Sequence, residues 1–400
     1  MSGSIVGACE SKFAAVKEEF ERNFAERGEV GASVCLSVNG ETQVDLWGGM
    51  ANPETDDAWR EDTISIVFSC SKAATALCAH ILIDRGELNP EALVADYWPE
   101  FAKNGKEKTT VRMMLNHESA LPTLRDPVRP GGFEDWDYMI QRLEDEEAFW
   151  EPGTRNGYHM INFGWTVGEL VRRVSGKSLG TFFREEVADK TGARFWLGLP
   201  ETEDVHIAPI IPYAPKPDDV PTEFAIKLMT EPESIQHKSF MNNGGWDFND
   251  RKSQAAEIGG GGGLSNARGQ VAMYTPLATD DGTLVSSDRL KAMSMVTTAT
   301  QRDATLLVPT RFGPGFMKSM DNRALNLGPG TSVIMGEQAF GHVGAGGSIG
   351  FADPEAGLAF SYTMNQMGSG ILVNDRAQSL IDAAYRSLGY RTNAPGVWVK

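Results

Sequence analysis

The stretch Ser69-Cys70-Ser71-Lys72-Ala73-Ala74-Thr75-Ala76-Leu77-Cys78-Ala79-His80-Ile81-Leu82-Ile83 opens with a serine and a lysine three positions apart, then runs on in mostly small and apolar residues. Residues 69–85 read as a helix, and on a helix positions i and i+3 share a face, one turn apart. A serine hydroxyl becomes a nucleophile only when a base takes its proton. Lysine can be that base once desolvation or a nearby cation lowers its pKa. The start of a helix at Ser69 adds a field that favours negative charge developing there. The same spacing also suits a capping serine followed by a solvated lysine, so the pair needs companions elsewhere in the chain.

Two further segments supply them. The loop Glu151-Pro152-Gly153-Thr154-Arg155-Asn156-Gly157-Tyr158-His159-Met160-Ile161-Asn162 leads into a helix expected over 163–174 and presents Tyr158 just before it. A tyrosine held near a cationic lysine ionises more readily and can shuttle protons. Further on, Gly341-His342-Val343-Gly344-Ala345 opens a strand-like stretch. A glycine there lets a substrate lie against the backbone, and the N–H after it can serve as an oxyanion donor.

Outward from these segments the chain divides into three. Residues 12–28 read as a helix with Phe13, Val16, Phe20 and Phe24 on one face. The β-rich runs 31–40 and 41–49 meet at Asn39-Gly40, a favoured hairpin turn. The middle reads as helical at 69–85, 139–149 and 163–174, with long connections such as 205–222. Strand-like segments return at 313–320, 331–336, 348–354 and 357–367, before a closing amphipathic helix at 374–389. One sheet built from both ends, with a mostly helical insert, follows from this order. The expected division is an α/β part of 1–68 and 285–400 and a helical part of 69–284, with the site at their interface.

Composition excludes several functions. A net charge of −17 opposes nucleic acid or an anionic membrane surface as partner. The four cysteines and six histidines show no metal-ligand spacing, so neither metal nor cofactor is expected. The first twenty residues lack the pattern of a signal peptide, and no apolar run is long enough to span a membrane. A cytoplasmic protein with reduced thiols is expected. Oligomeric state is not readable.

Together, Ser69-Cys70-Ser71-Lys72, Tyr158 in its loop and His342-Val343-Gly344 resemble the serine β-lactamase and penicillin-binding superfamily. The resemblance is nearest to class C β-lactamases, to D-alanyl-D-alanine carboxypeptidases with a His-Thr-Gly box, and above all to family VIII carboxylesterases. Segments 111–124, 152–179, 259–269 and 341–360 carry it further, over roughly 10–390. It implies an α+β fold in which an antiparallel sheet flanked by helices carries an inserted helical domain. It also implies Ser69 as nucleophile, Lys72 and Tyr158 as base and acid, and the Ser69 and Ala345 N–H groups as oxyanion hole. His342, Gly344 and His159 would bind substrate.

Two departures shift the expected substrate. Class C enzymes carry Tyr-x-Asn where this chain has Met160, and a lysine where it has His342. Both changes remove a polar handle for β-lactams and peptides, so a small uncharged ester is the better expectation, cleaved through an acyl-enzyme with short acyl chains. Weak β-lactam hydrolysis, a β-lactamase or D-Ala-D-Ala carboxypeptidase, an acyltransferase, and a non-catalytic sensor module stay as alternatives. Gly346-Gly347-Ser348-Ile349-Gly350 also matches the G-x-S-x-G nucleophile elbow. That motif requires a histidine after the serine, and none follows Ser348. The five glycines 259–263 lack a following Lys-Ser/Thr and read as close backbone packing. His117 reads as a loop-holding residue.

Overall fold

The computed structural model describes residues 4–203, 205–217 and 219–400. Residues 1–3 of the amino-terminal stretch, position 204, and position 218 in the 205–222 connection lie outside the described residues.

Strand β1 (Val6–Cys9) and helix α1 (Ala14–Glu26) precede the hairpin of β2 (Gly31–Val38) and β3 (Glu41–Asn52). Asn39 and Gly40 turn that hairpin with positive φ angles of 51° and 87°, as their residue types favour. Helices α2 (Ser71–Asp84), α3 (Trp136–Asp145), α4 (Phe163–Ser175), α5 (Glu223–Thr230), α6 (Ile235–Met241) and α7 (Ala267–Thr279) follow in the middle of the chain. The last part holds β4 (Thr298–Thr300), β5 (Thr310–Gly313), β6 (Phe316–Met317), β7 (Phe340–Val343), β8 (Ile349–Asp353), β9 (Leu358–Met364) and α8 (Asp375–Ser387). These strands form one antiparallel sheet in the order β1-β3-β2-β9-β8-β7-β6-β5-β4. The two chain ends meet at its centre, where β9 pairs with β2 from Leu358↔Val38 to Met364↔Ala32.

Strand β9 shows why the centre is stable. Leu358, Phe360, Tyr362 and Met364 pack on the α1 and α8 side, and Ala359 belongs to the core on the other side. All seven residues are buried, as a two-faced central strand requires. On that second face α7 comes so close that a Cβ at Gly350 would stand 2.5 Å from Gln270 Oε1. Helix α7 therefore packs on β9, β8 and β2, although the expected boundary at 284 placed it with the helical part. Helix α2 is buried all round from Ser71 to Leu82, against α4 and β7. An apolar run without a polar stripe belongs inside a protein of this size.

Two sequence expectations differ in detail. Segment 331–336 is not a strand. It makes only isolated bridges, Val333 with Met320 and Gly336 with Trp398, and otherwise turns to α8, with Ile334 N and O bonded to the Gln378 amide and Gly336 N donating to the Tyr385 hydroxyl. The helix expected at 139–149 runs over 136–145. Asp135 caps its start by accepting from Tyr138 N, and Ala148 and Phe149 donate to Asn104 and Ala120 instead of continuing the helix.

Candidate active site

Ser69 lies in the turn just before α2. The chain arrives with Val67 N donating to Gly263 O, and Phe68 adopts a left-handed φ of 45°. That conformation costs a bulky residue about 1–3 kcal/mol and is held only where packing over-determines it. It leaves Ser69 half-buried at a cavity wall while Phe68 and Cys70 on either side are buried. Lys72 N donates to Ser69 O at 3.0 Å, so the turn winds directly into the helix.

Lys72 is fully buried, and its Nζ lies 2.9 Å from Ser69 Oγ, 2.5 Å from Met160 O and 2.6 Å from Gly260 O. Burial pushes its pKa well below the usual lysine range. A neutral amine has two N–H bonds and one lone pair. The two carbonyls can only accept, so they take both N–H bonds and leave the lone pair for the Ser69 O–H. The five-glycine run makes this possible. A Cβ at Gly260 would sit 2.0 Å from Ile161 O, and one at Gly164 would sit 2.1 Å from Gly260 N. Only backbone fits there.

Tyr158 lines the cavity beside this pair, with Lys72 Nζ 4.8 Å from its ring centre. Burial raises its pKa above the usual phenol range. Burial thus works against the readily ionised tyrosine expected from the sequence, while it works toward an unprotonated Lys72.

The backbone under Tyr158 is fixed by a residue that sequence reading missed. Buried Asp303 accepts from Tyr158 N with both carboxylate oxygens (3.0 and 3.1 Å) and from Thr305 N and Leu306 N (2.8 and 2.9 Å). Removing it strands three buried donors, each worth about 1–3 kcal/mol. Asp303→Ala is therefore expected to lower both the unfolding temperature and kcat. Asp303→Asn, which keeps one acceptor oxygen, should recover part of both in thermal melts and steady-state kinetics. An alanine variant with unchanged melting and kcat would show that Tyr158 is held by other means.

The third box ends β7. A Cβ at Gly344 would lie 2.3 Å from Val67 O, so glycine lets this strand end close against the chain entering Ser69. Ser69 and Ala345 both line the cavity. Among the described residues, neither of their N–H groups is given to another backbone acceptor. Two free donors beside a nucleophile can hold a developing oxyanion.

The cavity has a volume of about 230 Å³, and none of its lining side chains carries a charge. Phe68, Trp246 and Phe248 line one part of it, and Tyr158, Leu306 and Met317 another.

A sequence profile described as Beta-lactamase matches residues 18–384. The chain belongs to the β-lactamase family. It is 30% identical over 403 aligned positions to the Mycobacterium tuberculosis protein named Esterase/beta-lactamase LipL, covering 93% of this chain and 86% of that one. A crystal structure of a family VIII carboxylesterase is 36% identical, with a TM-score of 0.82 over 96% of this chain and 100% of that one. A penicillin-binding protein homologue from Caulobacter crescentus is 32% identical, with a TM-score of 0.84 over 96% and 100% of the two chains.

Within this β-lactamase-family site the structure brings Ser69, Lys72, Tyr158, Gly344 and Ala345 together. It does not bring the two histidines to the cavity surface. His159 is absent from the cavity lining, with Nε2 facing Ser119 Oγ (2.8 Å) and accepting from Leu121 N (3.3 Å), which fastens the 119–121 loop. His342 is buried behind Tyr158, its ring centre 5.9 Å away, and its Nδ1 donates to Val343 O. Burial and the nearby Lys72 push its pKa down to about 3, so it offers no cation to a substrate carboxylate. His117 sits at a φ of 62° among the rings of Tyr158, Phe163 and Phe312, accepting from His159 N. Ser348 is fully buried, and its hydroxyl has no hydrogen-bond partner among the described residues.

Proposed function

We propose that the protein is a carboxylesterase that hydrolyses small uncharged esters with short acyl chains through an acyl-enzyme on Ser69. One observation carries this reading: a fully buried lysine, held by two carbonyls, with its Nζ 2.9 Å from the hydroxyl of a reachable serine, beside a cavity lined by no charged side chain. The names of its relatives, an esterase/β-lactamase and a family VIII carboxylesterase, support it.

Lys72 takes the Ser69 proton as Oγ bonds to the ester carbonyl carbon. The carbonyl oxygen becomes an oxyanion held by the Ser69 and Ala345 N–H groups. The carbon–alkoxy bond then breaks, Tyr158 gives its proton to the departing alcohol, and the proton on Lys72 passes to Tyr158. Water next adds to the acyl carbon while giving a proton to the restored lysine. The Ser69–carbon bond breaks, the serine oxygen regains that proton, and the acid leaves. Gly344 keeps the Ala345 donor close to Ser69.

A β-lactam could enter the same chemistry, and the lactam alternative rests on the relative's double name. Its carboxylate finds no cation among the cavity's lining residues, so wild-type kcat/KM for nitrophenyl acetate should exceed that for a chromogenic cephalosporin by about 10³-fold, roughly the loss expected when one charged and one polar partner are missing. Comparable values for both would favour the lactamase reading.

A further inference from the structure

Ser69 stands between two walls of different chemistry. Phe68 packs edge-on to Phe248 with ring centres 5.3 Å apart at 76°, and Phe248 meets Trp246 at 5.9 Å and the same angle. Trp246 continues to Phe133 at 6.0 Å. These four rings all line the cavity, while Trp246 and Phe248 stay half-buried. On the other side Tyr158 packs in a separate core cluster with Leu306, Met317 and Val343, and Met160 lies against it. Leu306, Met317, Val343 and Met160 give that side its aliphatic and thioether groups beside the Tyr158 ring.

Resting on the esterase reading above, the direction of the reaction tells the walls apart. Tyr158 delivers the proton to the leaving oxygen, so the alcohol departs along the Tyr158 side. With the alcohol on the Tyr158 side and the oxyanion at the Ala345 N–H, the Phe68, Trp246 and Phe248 wall, against which Ala345 also packs, is the surface left for the substituent on the acyl carbon. We infer that the acyl pocket is this aromatic wall and that the substrates are esters of compact arylacyl acids, with Trp246 and Phe248 determining specificity. A ring set against the wall extends the edge-to-face series at the 4.5–7 Å spacing such contacts prefer. A long flexible chain gains no such contact, and a cavity of about 230 Å³ has little room to coil one. A charged acyl group would meet no partner.

Two isomers test the inference, methyl phenylacetate and benzyl acetate, which place the same ring on the acyl and the alcohol side. Hydrolysis is followed by pH-stat for wild type, Trp246→Ala, Phe248→Ala and Phe248→Leu. The wild type should favour methyl phenylacetate in kcat/KM by about tenfold or more. Each alanine variant should bring the ratio of the two isomers close to one, mainly through KM, and leucine should fall between. The ratio is insensitive to partial misfolding, which lowers both rates alike. Preference for benzyl acetate, or a ratio that both alanine variants leave unmoved, overturns the arylacyl assignment while nitrophenyl acetate turnover keeps the esterase reading intact. Failure to hydrolyse either isomer and nitrophenyl acetate overturns that reading, and the inference with it.

Discussion

Ser69→Ala is expected to lower kcat for nitrophenyl ester hydrolysis by about 10⁴-fold or more, the scale on which nucleophile removal is felt in serine hydrolases. Ser348→Ala should keep activity within about twofold of wild type, because a residue outside the reacting geometry contributes nothing to the transition state. The two serines compete for the same role on sequence grounds, and the fold separates them. Ser69 is half-buried at the cavity, 2.9 Å from a lysine whose other contacts are both acceptors. Ser348 is fully buried, its hydroxyl meets no base, and the chain continues from it into β8 instead of a helix. A fluorophosphonate probe should label wild type once, at the peptide carrying Ser69, and should leave Ser69→Ala unlabelled. Labelling at Ser348, or full activity in Ser69→Ala, would return the elbow reading to first place.

The contrast also marks how far the amino-acid sequence could be read. The central sheet was legible because β2 and β9 are hydrophobic at successive positions and the Asn39-Gly40 turn forces a hairpin. Ser69 and Lys72 were legible because helical spacing is local, and Tyr158 because its loop is rich in proline and glycine. Asp303 was not legible. Its partners Thr305 and Leu306 are local, but Tyr158 lies 145 positions away, so its role arises only when the chain folds back. The same holds for Met160 O and Gly260 O, whose contribution is a carbonyl that any residue carries. His159 misled because adjacency to Tyr158 says nothing about direction, and successive side chains of an extended segment point opposite ways. Segment 331–336 reads as a strand by composition, yet it pairs only at isolated bridges, Val333 with Met320 and Gly336 with Trp398, and gives Ile334 and Gly336 to side chains of a helix. Trp246 and Phe248 stand in a stretch without periodic pattern, and only the fold sets Phe248 against Phe68 and Trp246 against Phe248.

Lys72→Ala and Tyr158→Phe are each expected to lower activity by about 10²–10⁴-fold, as the loss of a positioned base or acid does, and they should do so with different signatures. Lys72 must be unprotonated to act. Burial holds its pKa well below the ordinary lysine value, so wild-type kcat/KM rises as pH climbs through that lowered value and is already on its plateau far below the ordinary lysine pKa of about 10.4. Tyr158 must be protonated, and burial raises its pKa, so the alkaline loss falls above the usual phenol value of about 10. His159 and His342 are held neutral down to about 3, so neither adds an inflection near pH 6.5. In Lys72→Ala the acid limb should disappear, leaving a rate that grows with hydroxide. Tyr158→Phe should depend on the leaving group instead. A nitrophenolate departs without a proton, whereas an ethoxide must be protonated as it leaves, so the variant should lose about tenfold more on ethyl acetate than on nitrophenyl acetate. Equal losses on both esters would place the tyrosine in orienting Ser69 and leave the alcohol's proton to Lys72. An acid limb that survives Lys72→Ala would take the base away from the lysine.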